Sequence, residues 1–163
     1  MTKTMETSGG CDCAIASAKE KEIYRSPEAA NDPPVVCTAD LADRVSVDAQ
    51  MNGYRDAFRA LVRSERNSPN AIAWTFRNEE GLAGRLRVLA KNEHECCAFF
   101  AFDLRESAGG DEIVWSITAP SGAREVLEAF AELPTRLAAG ADTKEIKDHV
   151  TQAGLLFAAD RRP

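Results

Sequence analysis

No stretch of this chain approaches the roughly 20 consecutive apolar residues that a membrane-spanning helix needs, and Met1 to Gly10 lacks the apolar centre of a signal peptide. Both absences lead to the expectation of a cytoplasmic protein with no membrane partner. Cations are also short, with 20 Lys and Arg against 26 Asp and Glu and a formal net charge of −6. Nucleic-acid binding relies on clustered Lys and Arg that displace counterions from phosphates, and the chain has no such stripe, so no nucleic-acid partner is expected. A Walker loop, a dinucleotide-type glycine pattern, a His-Glu-x-x-His helix and a nucleophile elbow are all missing. There is no internal repeat.

What is present suits one globular domain with appendages: 163 residues, 44% hydrophobic and 28% charged. The five cysteines form an odd set. In a cytoplasmic chain they read as reduced thiols for metal or redox work rather than as a disulfide framework.

Cys96 and Cys97 are adjacent, at the end of an amphipathic stretch and just before Phe99, Phe100 and Phe102. Consecutive Cα atoms lie about 3.8 Å apart, shorter than the roughly 4.4–6.8 Å usual across a disulfide, so a ring closed between neighbours is strained and easily reduced. The pair is therefore a poor staple and a good trap for soft ions: Cu(I), Zn(II) and, by the same softness, Hg(II), Cd(II) or arsenite. Burial as two small hydrophobes is the competing reading.

Along the chain, residues 1–34 are rich in Thr, Ser, Gly, Lys and Glu and end in Asp32-Pro33-Pro34; they read as a disordered arm. The arm carries Cys11-Asp12-Cys13 on a glycine hinge, a candidate ligand pair. The core, residues 35–134, opens at Val35-Val36-Cys37, with Thr38 as a helix N-cap. Leu41, Val45, Met51, Tyr54, Phe58, Leu61 and Val62 recur at helical spacing, which predicts a helix up to Arg66 with a split or kink at Asn52-Gly53. Ile72, Trp74 and Phe76 alternate with Ala73, Thr75 and Arg77 as in a half-buried strand. A second helix runs from about Asn78, and its stripe Leu82, Leu86, Leu89 and Ala90 extends through Glu93 to Cys96 and Cys97.

Glu93 thus faces inward with the thiols, where a carboxylate is costly without a partner. It can ligate a metal, take the proton a thiol loses, or accept backbone hydrogen bonds. His94 lies nearer the polar face and reads as packing rather than a ligand; Glu95 reads as solvated. Two strands joined by a hairpin at Gly109-Gly110 follow, carrying Phe100, Phe102 and Leu104, then Ile113, Trp115 and Ile117. Pro120-Ser121 starts a further helix that Pro134 ends. The tail, residues 135–163, holds a capping-box pattern at Asp142 and Glu145 and a short helix whose Ile146, Val150, Ala153 and Phe157 can dock on the core or on a second copy of the chain. The expected fold is α+β: a three-stranded antiparallel sheet packed on one face by helices, with a disordered N-terminal arm and a short C-terminal helix.

From Val36-Cys37-Thr38 to Leu133-Pro134, with Trp74-Thr75-Phe76, Leu89-Ala90, Thr118-Ala119-Pro120 and above all the Glu-x-x-Cys-Cys-x-Phe-Phe-x-Phe run from Glu93 to Phe102, the sequence resembles a small bacterial domain associated with mercury-type resistance genes. That domain also occurs as a C-terminal extension of MerR-class regulators. The resemblance implies soft-metal handling, with Cys37, Glu93, Cys96 and Cys97 as the residues carried over by position. It suggests a metal-responsive regulator or a mercuric reductase as partner. Ser46 to Gly53 departs from the pattern like an insertion, and no helix-turn-helix is present, so regulator activity does not carry over.

Two functions from different classes follow. The first is capture of a thiophilic ion, most fittingly mercury, by Cys96 and Cys97 with Cys37 as a third ligand, Glu93 orienting the site, and Cys11 and Cys13 loading it by thiolate exchange for detoxification, transfer or sensing. Zinc held by Cys37, Cys96, Cys97 and one arm cysteine is compatible, although the spacing matches no standard finger. The second is a thiol enzyme for organomercurial cleavage or redox exchange, with Glu93 as acid or base; the Cys-x-x-Cys of redox folds is missing.

Overall fold

The computed structural model describes residues 35–39 and 43–158, together with the strand Ile23–Tyr24. Cys11 and Cys13 lie outside the described residues. The architecture is α+β. Its main sheet is built from β3 (Leu61–Ser68), β4 (Ala71–Arg77), β5 (Ala101–Glu106) and β6 (Glu112–Thr118), with β1 (Ile23–Tyr24) as a short edge, in the order β1-β5-β6-β4-β3. All pairings in it are antiparallel. A separate parallel pair joins β2 (Val36–Cys37) to β7 (Leu156–Phe157).

The sheet thus exceeds the three strands expected, because Leu61–Ser68 is a strand and not the end of the first helix. Helix α1 spans Arg44–Phe58 and is capped at Arg59; Arg77 N then donates to Ala60 O and sets the start of the β3–β4 ladder. Most of β3 is exposed, so its sequence carries no alternating apolar signature, and the ladder to β4 is what holds it. Pro69-Asn70 is the hairpin turn between the two strands. On β4, Ala73 and Thr75 are buried along with Ile72, Trp74 and Phe76. In register, Thr75 lies between Arg63 and Val114, and Ala73 between Glu65 and Ser116.

Asn52-Gly53 does not break α1. Gly53 is where α1 meets α2 (Leu82–Cys96), since a Cβ there would stand 2.9 Å from Leu89 Cδ2. The α1 N-cap is Asp43, whose carboxylate accepts from Ser46 N at 3.2 Å; Thr38 has a different task, described below. Pro134 opens a helix where an end was expected: α3 (Arg124–Ala131) closes at Glu132, and α4 (Leu133–Ala138) carries Pro134 in its first turn, where a missing N–H costs nothing. The capping box at Asp142 and Glu145 starts α5 (Thr143–Gln152), as the sequence indicates.

The helices pack over the sheet face formed by Ile72, Trp74, Phe76, Phe102, Ile113, Trp115 and Ile117. Trp74 and Trp115 are register partners and meet edge to face at 5.5 Å. Tyr54 and Phe58 of α1 and Phe130 of α3 lie against them at centroid separations of 5.0–6.1 Å, the range of favourable aromatic contact. Among the described residues, no helix is long and apolar enough to cross a membrane.

Candidate metal centre

The apolar stripe of α2 buries Leu82, Leu86, Leu89, Ala90 and Glu93, and delivers Cys96 to the last helical residue and Cys97 to the cap. There the backbone leaves helical angles (φ −118°, ψ 63°), which turns two consecutive side chains toward one side instead of 100° apart. Their Sγ atoms are 3.8 Å apart and unoxidised.

Cys37 reaches the pair from a distant part of the sequence. Thr38 N donates to Cys96 O at 2.9 Å, and Thr38 Oγ1 donates to Glu95 O at 3.2 Å, so two of the open carbonyls at the end of α2 are met by the residue after Cys37. On its other side β2 is held by β7. The result is three sulfurs, Cys37, Cys96 and Cys97, all within 4.8 Å of one another. A metal–sulfur bond of about 2.3 Å puts sulfurs about 3.8 Å apart in a tetrahedral site and about 4.0 Å apart in a trigonal one, so the cluster needs only a small contraction to share one ion. These three cysteines could hold a metal ion.

The cluster has an uneven charge distribution. Hydrogen bonds from Cys96 and then Cys97 stabilise the Cys37 thiolate and draw its pKa far below the ordinary thiol value. Cys96 and Cys97 are shifted upward, first because each donates to Cys37, and burial adds to the effect. Their place at a helix C-terminus, the negative end of the dipole, acts in the same direction. A soft cation bound by the three sulfurs keeps them as thiolates and displaces the thiol protons they carry.

Glu93 is 7% exposed, and burial raises its pKa. Its Oε1 accepts from Gln50 Nε2 at 3.0 Å, Gln50 Oε1 accepts from Asn92 Nδ2 at 3.0 Å, and Cys96 Sγ stands 3.8 Å from Glu93 Oε2. Tyr54 is fully buried against the same carboxyl; burial first, then the Glu93 charge and a hydrogen bond to Glu93, hold its pKa up. His94 and Glu95 are not part of the cluster. Gln50 and Tyr54 were legible only as helix residues; their i, i+4 spacing puts both on the face of α1 that meets Glu93.

Behind the sulfurs lies a pocket of about 380 Å³. Glu93, Gln50 and Tyr54 line its polar end, and Met51, Phe100, Phe130, Ile146, Val150 and Phe157 are among its apolar walls. The apolar stripe of α5 thus forms part of this wall. Comparison with known proteins gives no match to a family model, a curated protein or a solved structure.

Proposed function

We propose that this protein binds a thiophilic ion through Cys37, Cys96 and Cys97, with mercury the best-suited guest, and that it serves capture, transfer or sensing of that ion. The observation that carries the reading is the convergence of three unoxidised sulfurs within 4.8 Å from two separate chain segments. Hard cations prefer oxygen cages, and a cluster of three thiols selects soft ions instead. Glu93 stands ready to receive a displaced proton or to orient Cys96, and Cys11 and Cys13 would deliver the ion by thiolate exchange. The likeness of the Glu93–Phe102 run to a domain linked with mercury-type resistance adds support.

The test is a titration of the reduced chain with Hg(II), followed through the thiolate-to-metal charge-transfer absorbance in the presence of a competing monothiol. One tightly held ion per chain is expected, lost in the Cys96→Ser/Cys97→Ser variant. Equal retention by that variant refutes the reading.

A thiol enzyme is the second reading. It is favoured by the Glu93 Oε2 to Cys96 Sγ distance of 3.8 Å, which puts an acid within reach of a bond made at that sulfur. Release of benzene from phenylmercury, lost in Glu93→Gln, is the result that distinguishes it from passive binding.

A further inference from the structure

The pocket is much larger than an ion requires. At about 380 Å³ it falls in the range of small-molecule sites, roughly 300–1,000 Å³, whereas a single water occupies about 30 Å³ of liquid. An ion bridging the three sulfurs would fill only one end. Much of the remaining wall, from Met51, Phe100, Phe130, Ile146, Val150 and Phe157, is apolar and offers nothing to a charged or hydrated guest. Exposed Asp43 and Ser46 stand among the lining, so the pocket reaches the surface there. The Tyr54 hydroxyl, 0% exposed, lines the same space beside the Glu93 carboxyl.

We infer that the guest is a soft electrophilic atom that carries an apolar organic group, an organomercurial cation R–Hg⁺ with an aryl or bulky alkyl R, the mercury seated on the cysteine cluster and R in the apolar pocket. This inference rests on the thiophilic-ion reading and narrows its guest. The binding step is a ligand exchange: a thiolate sulfur forms a bond to mercury, the bond from mercury to its anionic ligand X breaks, and X⁻ leaves. No electron changes hands, and this step leaves the carbon–mercury bond intact. A trivalent arsenical bearing the same R shares the chemistry, using two sulfurs in place of one.

The test compares protein-bound mercury after reduced full-length chain is challenged with a monothiol, using phenylmercury, methylmercury and Hg(II) in parallel. The thiol competitor cancels the intrinsic mercury–sulfur bond strength, so the phenyl-to-methyl ratio reports the pocket. Retention of phenylmercury at least tenfold stronger than methylmercury is expected, since one methylene in an apolar pocket is already worth about tenfold or more. Met51→Trp and, independently, Ile146→Phe should reduce that ratio toward one while Hg(II) stays bound. Phenylarsine oxide against arsenite forms a second arm; the same preference there shows that the pocket reads the organic group, and its absence assigns the site to mercury. A phenyl-to-methyl ratio near one with Hg(II) tightly held overturns this inference and leaves the thiophilic-ion reading standing. If none of the three mercurials is retained, both fall.

Discussion

Replacing Glu93 by Gln isolates the cost of an acid buried beside three thiols. The amide keeps the oxygen that accepts from Gln50 Nε2 at 3.0 Å and offers N–H where the protonated acid has O–H, so the variant imitates the neutral carboxyl. Burial raises the native pKa of Glu93, while in the unfolded chain it returns to about 4.3. Below that value both states carry the proton, and wild type and Glu93→Gln should differ by less than about 1 kcal/mol. As pH rises from there the unfolded chain releases its proton and the native chain holds it, so wild-type stability falls relative to the variant. The loss accrues at up to about 1.4 kcal/mol per pH unit and stops once the native carboxyl has ionised. Urea unfolding at a series of pH values from 4 to 8, under reductant and free of metal, reads the difference directly, and the cysteines, common to both proteins, cancel to first order. At neutral pH Glu93→Gln should therefore be the more stable protein. If wild type instead gains on the variant as pH rises, the carboxylate is stabilised by its surroundings and the assignment of Glu93 as a costly buried acid is wrong.

Two further substitutions probe how the site is held. Thr38→Val removes the hydroxyl that bonds to Glu95 O and should cost about 0.5–1.5 kcal/mol, toward the low end because Thr38 is exposed; faster alkylation of Cys37, with Cys97 unchanged, is the expected signature. Gly84→Ala should raise thermal stability by about 1 kcal/mol, since nothing lies within 4 Å of the new methyl on α2, whereas Gly53→Leu should lower it by about 1–3 kcal/mol by driving into Leu89. Opposite shifts in thermal midpoint check the pair.

Much of this arrangement is legible in the sequence because it is periodic. The α2 stripe, continued by three and four residues, places Glu93 with the thiols, and alternation in β5 and β6 locates the sheet and its hairpin. Leu61–Ser68 hides because an exposed strand has no buried face to write a pattern, and Leu61 and Val62 happen to continue the helical spacing of α1. Gly53 reads as a breaker from its turn-like neighbour, when its purpose is to let a second helix approach. Thr38 resembles a cap by type, and it does satisfy a helix end, but the C-terminus of α2 instead of the N-terminus of α1. The meeting of Cys37 with Cys96 and Cys97 is a long-range contact, and no local spacing encodes it. The same is true of α5: its stripe announces that it packs somewhere, and only the fold shows that it walls the pocket.

That long-range origin makes the three-sulfur site a property of the folded chain. Cys96 and Cys97 stay neighbours when the protein unfolds, but Cys37 is returned to them by the fold, through Thr38 on one side and the pairing of Val36–Cys37 with Leu156–Phe157 on the other. An ion bound by all three sulfurs therefore stabilises the native state by RT ln(1 + [L]/Kd), reduced by whatever affinity the vicinal pair retains in the unfolded chain. Because β7 is the next element after α5, the pocket wall from Ile146 and Val150 and the strand that pairs with Val36–Cys37 belong to one stretch of chain.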